Sequence, residues 1–152
     1  MCNPTKIKTK PYNARTDTFS VSKGTKMSKR STDSLVVYTD YSGKSDQISY
    51  YAVRRSNGQE YIHDYGFSSV PSYLTTTEGE MAAARSAMSL FPGAKILTDS
   101  MHVVGKLGRL GNVYVAHVKA HCGNVGNEHA DQLARNSQLH PKYKNYHSNY
   151  YP

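Results

Sequence analysis

Apolar residues along the chain gather into short β-rich runs and a few helix-like stretches. Leu35-Val36-Val37-Tyr38-Thr39 is a β-branched run that ends on Asp40. Ile48 to Arg55 forms a second strand, Ser56-Asn57-Gly58 a hairpin turn, and Glu60 to Phe67 the returning strand. Thr75-Thr76-Thr77 then precedes a stretch of good helix formers, Glu78 to Leu90, in which Met81, Ala84, Met88 and Phe91 share one face. Phe91-Pro92-Gly93 stops that helix. Ala94 to Thr98 is a buried-type strand ending on Asp99. A short helix runs from Ser100 to about Leu107, Val113 to Val118 is a fifth strand, and a last helix spans about Gly126 to Asn136.

The order βββ-α-β-α-β-α predicts an α/β domain over residues 34–136. Its sheet is mixed and five-stranded, with three antiparallel strands and then parallel strands, flanked by helices. Ligands of such sheets gather beyond the carboxyl ends of the parallel strands, where Asp40 and Asp99 fall. Residues 1–33 are rich in Lys, Thr and Ser and poor in apolar residues, which predicts a disordered N-terminal arm. Residues 137–152 are rich in Tyr, Lys and His and read as a C-terminal tail. Its tyrosines and lysines have the chemistry to stack on bases and pair with phosphates, but packing on the domain or no role is the simpler expectation.

Charge sharpens this division. The chain carries a formal net charge of +8. Residues 1–33 hold eight Lys/Arg against two Asp, a net +6, and the remainder holds eleven against nine acids, a net +2. A basic arm on a nearly balanced domain suits a polyanionic partner, or serves only solubility. No apolar run reaches bilayer-spanning length and no secretory signal opens the chain, so neither a membrane nor an extracellular role is expected. The arm holds one acid before Ser31, Asp17, as a transit peptide would, but it is lysine-rich and interrupted by Pro4 and Pro11. Cys2 and Cys122 form no C-x-x-C pair, so zinc is not expected, and free thiols in a reducing compartment are the simpler reading.

Four carboxylates carry the chemistry. Asp40 and Asp99 end two apolar strands, Glu80 lies in the first turn of the long helix, and Asp131 lies within the last helix. An acid after a strand is by itself often only a turn or cap residue. Four of them on four separate elements are placed to converge on one rim of the sheet. They would repel one another unless a cation sat among them, and hard oxygen ligands favour Mg²⁺, Mn²⁺ or Ca²⁺.

The segments V-V-Y-T-D-Y-S (36–42), T-E-G-E-M-A-A-A (77–84), L-T-D-S (97–100) and A-H-C-G-N-V-G-N-E-H-A-D-Q-L-A-R (120–135) resemble, in family order, the ribonuclease H type 1 family. The last segment is the specific one. The resemblance implies a ribonuclease H-like fold and a metal-dependent endonuclease. It would hydrolyse the RNA strand of an RNA–DNA hybrid, leaving 5′-phosphate and 3′-hydroxyl ends. Asp40, Glu80, Asp99 and Asp131 would be the metal-binding and catalytic carboxylates, with Glu78 the competing acid of the second segment. His121 would assist proton transfer or product release. The implied cofactor is Mg²⁺, with Mn²⁺ as the alternative, two ions per site. Ser42, Thr75, Thr76, Thr77 and Ser100 would contact substrate, the threonines having helix capping as their structural alternative. Glu80 and the backbone near Asp40 would meet the 2′-hydroxyls that distinguish RNA from DNA. Asn127 and Glu128 would hold the last helix. A monomer is expected, in the cytoplasm or wherever hybrids form, which for a viral member is the host-cell cytoplasm.

The chain departs from the family pattern as a compact, divergent member would. Tyr41 replaces a small residue, often Gly, after the first Asp. Met101 stands where a base-reading Gln is frequent, and Thr76-Thr77 replace an Asn pair. Only 22 positions separate Asp99 from His121, which leaves no room for a further helix and basic substrate-gripping loop. Three alternatives stay open: a catalytically silent member that binds hybrid or duplex, a nuclease of the same superfold acting on double-stranded RNA or a DNA junction, and a non-enzymatic nucleic-acid-binding protein working through its arm.

Overall fold

The computed structural model describes residues 33–108 and 114–148. The expected arm therefore lies outside the described residues apart from the backbone of Asp33, as do Val113 of the expected fifth strand and residues 149–152. The elements are β1 (Asp33–Ser42), β2 (Gln47–Ser56), β3 (Gln59–Ser69), α1 (Thr76–Leu90), β4 (Lys95–Thr98), α2 (Met101–Leu107), β5 (Val115–His117) and α3 (Val125–Asn136). A 3-10 turn follows at Pro141–Tyr143.

The sheet runs β3-β2-β1-β4-β5. β1, β2 and β3 are antiparallel neighbours, and β1, β4 and β5 are parallel ones. This is the α/β arrangement that the element order predicts. The β2–β3 turn holds Asn57 at φ 52° and Gly58 at φ 81°. Two consecutive left-handed residues give the twist that a tight hairpin needs, which is why Asn-Gly marked it.

β1 is the central strand, and its alternating side chains divide the core. On one face Val37 packs with Ala84, Ala87, Ile96, Val103 and Leu107, and Tyr41 with Ile48 and Ala83. On the other, Tyr38 packs with Tyr51, Val53, Ala130 and Leu133. The helical face expected on α1 is the one used: Ala84 is fully buried, and Met81, Met88 and Phe91 pack at its margin. Ala83, Ala84 and Ala87 let the helix axis approach the sheet closely. Each large aliphatic side chain buried this way, such as Leu107 or Leu133, stabilises the fold by about 1.5–3 kcal/mol.

The segment after α3 packs on the domain through residue 148, one of the two simpler expectations for the tail. Ser148 bridges to Tyr61, and its carbonyl accepts from the Ile62 amide at 2.7 Å. His147 is buried between the Tyr51 hydroxyl, 2.8 Å from its Nδ1, and Glu60 Oε1, 3.1 Å from its Nε2. His129 is 0 % exposed, lies 4.5 Å centroid-to-centroid from Tyr51, and accepts at Nδ1 from the His140 amide at 2.9 Å. Its Nε2 lies 3.1 Å from the Tyr143 carbonyl, which fixes the neutral Nε2–H tautomer, and burial pushes its pKa down to about 4. Cys122 is buried on the loop that leads to α3. Cys2 lies outside the described residues.

Candidate metal centre

Asp40, Glu80 and Asp99 meet at the carboxyl ends of β1 and β4. One ligand oxygen from each lies within 4.8 Å of the others. Parallel pairing of β1 with β4, Thr39 beside Thr98, sets the two aspartates side by side. Glu80 comes from the start of α1, whose N-cap is Thr75. There the Glu78 amide donates to Thr75 Oγ1 at 3.1 Å and the Thr75 amide to Glu78 Oε1 at 2.9 Å. This reciprocal box occupies Glu78 at an exposed helix end. Glu80, two residues on, is 8 % exposed and faces the aspartates.

The electrostatics are those of an uncompensated anionic cluster. Asp40 is 5 % exposed, and its pKa is pushed up to about 10 by burial first, then by Asp99 and Glu80. The Tyr41 amide, donating to Asp40 Oδ1 at 2.8 Å, opposes the rise. Glu80 is raised to about 8 by burial and then by Asp99. Asp99 is raised too, by burial and by Asp131, while His121 and His117 pull it down. Oε1 of Glu80 is buried and has no hydrogen-bond partner. An unsatisfied buried carboxylate oxygen costs folding free energy unless something binds it. Hard oxygen donors around such a point fit a divalent cation of the Mg²⁺ or Mn²⁺ kind.

Asp131 approaches from α3, with 17 % of its side chain exposed and Arg135 Nη1 at 3.5 Å from Oδ2. It is not one of the three closest ligands, but its charge raises Asp40, Glu80 and Asp99 alike. α3 is fixed by the β1–β2 hairpin. Ser49 Oγ donates to the Ala130 carbonyl at 2.6 Å, Gln47 Nε2 to Ala134 at 2.9 Å and Ser45 Oγ to Arg135 at 2.8 Å. The Asn127 amide donates to its N-cap, Asn124, at 3.0 Å, so this part of the last motif builds the helix start.

His121 is exposed on the β5–α3 loop with φ 54°, two residues before Gly123 at φ 82°. A left-handed backbone costs a non-glycine residue about 1–2 kcal/mol, and such strain collects at functional loops. Of the expected substrate contacts, Ser100 caps α2, accepting from the Val103 amide at 3.2 Å beside Asp99. Thr76 and Thr77 are exposed in the first turn of α1. Ser42, the last residue of β1, is buried and accepts from the Ser45 amide at 3.3 Å. His117 was not singled out by the sequence. It ends β5 opposite Thr98, and its signal is that register position beside Asp99.

Two of the departures from the ribonuclease H resemblance, Tyr41 and Met101, differ in exposure. Tyr41 is 9 % exposed, its ring packed against Gly79 and Ala83 of α1. Met101 is 65 % exposed at the start of α2. Among the described residues no helix is long and apolar enough to cross a membrane. No protein-family model matches this chain, and no curated protein matches its sequence.

Proposed function

We propose that the protein is a ribonuclease H-like nuclease that hydrolyses the RNA strand of RNA–DNA hybrids with divalent cations. The observation that carries this reading is the convergence of Asp40, Glu80 and Asp99 within 4.8 Å, with a buried Glu80 oxygen left without a partner. The five-stranded mixed sheet and its three α-helices are compatible with that fold.

Asp40, Glu80, Asp99 and Asp131 would hold the metal. Two bound Mg²⁺ ions would polarise the scissile phosphate, lower the pKa of an attacking water and steady the leaving 3′ oxygen. The chain's own contribution is placement. β1 and β4 hold two carboxylates rigidly, α1 and α3 bring the other two, and His121 on its loop is available to carry a proton at the imidazole. The second reading is a catalytically silent or re-targeted protein of this fold that binds hybrid or duplex through its basic arm; Met101, exposed at the start of α2, offers a base edge only a weak thioether acceptor. Incubation with labelled hybrid, RNA duplex and DNA duplex, each with Mg²⁺, Mn²⁺ or EDTA, separates the readings. The proposal expects metal-dependent cleavage of the RNA strand of the hybrid alone. Binding without cleavage supports the silent reading, and cleavage confined to RNA duplex or DNA moves the substrate.

A further inference from the structure

The acid cluster depends on how closely α1 approaches β1, because Glu80 comes from one and Asp40 from the other. Gly79 lies inside α1 and is buried. Glycine is locally the wrong residue there, costing about 1 kcal/mol relative to alanine in a helix interior. The neighbouring strand supplies the reason. A Cβ added at Gly79 would stand 2.4 Å from Cγ, Cδ2 and Cε2 of Tyr41. Carbon atoms rest at about 3.5–4.0 Å, so even a methyl group would require more than about 1 Å of displacement. The ring has little room to retreat, since Ile48, Ala83, Val70 and Ala82 pack around it.

The Tyr41–Gly79 approach lies one residue from each of two acids. Tyr41 follows Asp40 and donates its amide to Asp40 Oδ1 at 2.8 Å. Gly79 precedes Glu80. A helix pushed away from the strand at this point would carry the Glu80 carboxylate with it. The bulk at position 41, where the resemblance leads one to expect a small residue, is thus taken up by the missing side chain at position 79.

We propose that the Tyr41 ring seated on Gly79 is the spacer that sets the Asp40–Glu80 separation, so that both are positioning residues for the metal centre. This rests on the metal-dependent reading above. The test is a double-mutant cycle in full-length protein: wild type, Tyr41→Ala, Gly79→Leu and Tyr41→Ala/Gly79→Leu. Mn²⁺ is titrated into each and free Mn²⁺ is followed by electron paramagnetic resonance, beside thermal melts in EDTA. Gly79→Leu and Tyr41→Ala should each weaken Mn²⁺ binding by about 10–100-fold, the usual loss when support behind a ligand is removed. The double variant, which moves the bulk from strand to helix, should bind at least about fivefold more tightly than Gly79→Leu, as touching residues do not act additively.

Folded Gly79→Leu with wild-type Mn²⁺ affinity would overturn the spacer and leave the proposed function standing. So would strictly additive weakening in the double variant. If Gly79→Leu alone fails to fold, the double variant must recover a cooperative melt and bind Mn²⁺, and its failure overturns the pairing. Wild-type protein that binds no Mn²⁺ would remove the metal-dependent reading itself, and the positioning role with it.

Discussion

Glu60 on β3 and Glu80 on α1 each sit in a polar cluster of the same small domain, in opposite settings. Glu60 accepts from His147 at 3.1 Å and from Arg55 at 2.9 Å, and His147 in turn meets the Tyr51 hydroxyl. Its pKa is lowered to about 2, chiefly by the His147 hydrogen bond. Glu80 faces two aspartates, keeps one oxygen without a partner, and is raised to about 8 by burial and by Asp99. The first cluster is complete and stabilises the native state as it stands, pinning the chain end to the sheet. The second is incomplete: its free energy improves when a proton or a cation enters. That difference is the one expected between a structural carboxylate and one proposed to hold a cation.

The largest effect should come from breaking the incomplete cluster. Asp40→Asn, Glu80→Gln or Asp99→Asn should each reduce metal-dependent hybrid cleavage to background, while melting temperature in EDTA holds or rises because like-charge repulsion is relieved. Glu78→Gln should retain most activity and lose only part of a capping box, about 1 kcal/mol or less. A dead Glu78→Gln beside an active Glu80→Gln would reverse the roles given to these acids.

His121→Ala should slow single-turnover cleavage by about 10²–10⁴-fold, the usual worth of a general acid or base, without abolishing it. Unchanged single-turnover and steady-state rates would make the left-handed loop at His121 structural.

The complete cluster should fail in stability and not in chemistry. His147→Ala leaves the Tyr51 hydroxyl and Glu60 without their partner, at a cost of about 1–3 kcal/mol, with turnover preserved. The two clusters should also impose opposite pH dependences in EDTA. A lowered folded pKa stabilises above the unfolded carboxyl value of about 4.3, and Glu60's contribution is lost as pH falls toward about 2. A raised folded pKa works the other way. Glu80's contribution is present below about 4.3 and lost as pH rises through about 8. Melts from pH 2 to 9 should therefore show Glu60→Gln flattening the acid limb and Glu80→Gln the alkaline one. Identical limbs in the two variants would remove the contrast.

The smallest effect concerns the basic arm. If it lies along a nucleic-acid backbone, deleting residues 1–31 should weaken hybrid binding at low salt, with little change in saturated turnover. The slope of log affinity against log salt should flatten by about 0.7–0.9 for each phosphate that the arm would have neutralised. Parallel salt curves of equal affinity would assign the arm another task.

The strands and helices were legible because their apolar periodicities and the Asn57-Gly58 turn are local signals. The acids at the ends of β1 and β4 were legible because strand ends in such sheets gather side chains on one rim. The attachment of residues 137–148 was not, since it runs through imidazoles, tyrosines and backbone groups with no apolar repeat: His147 and His140 look like tail residues until Glu60, Tyr51 and His129 are beside them. The fit of Tyr41 on Gly79 was equally hidden, because it joins two elements 38 positions apart and consists of a missing atom. His117 becomes visible only through its register with Thr98.

The central claim is that the carboxylates of β1, α1 and β4 form a site for a divalent cation while Glu60 belongs to a finished structural cluster. Melting temperature with EDTA and with saturating Mg²⁺, at neutral pH and fixed ionic strength, tests it directly on wild type, Asp40→Asn and Glu60→Gln. A ligand that binds only the native state raises its stability by RT ln(1 + [L]/Kd). Wild type and Glu60→Gln should gain the same upward shift from their different starting points, and Asp40→Asn should gain none. A wild-type protein unmoved by Mg²⁺, or an Asp40→Asn protein stabilised as much as wild type, would contradict the account.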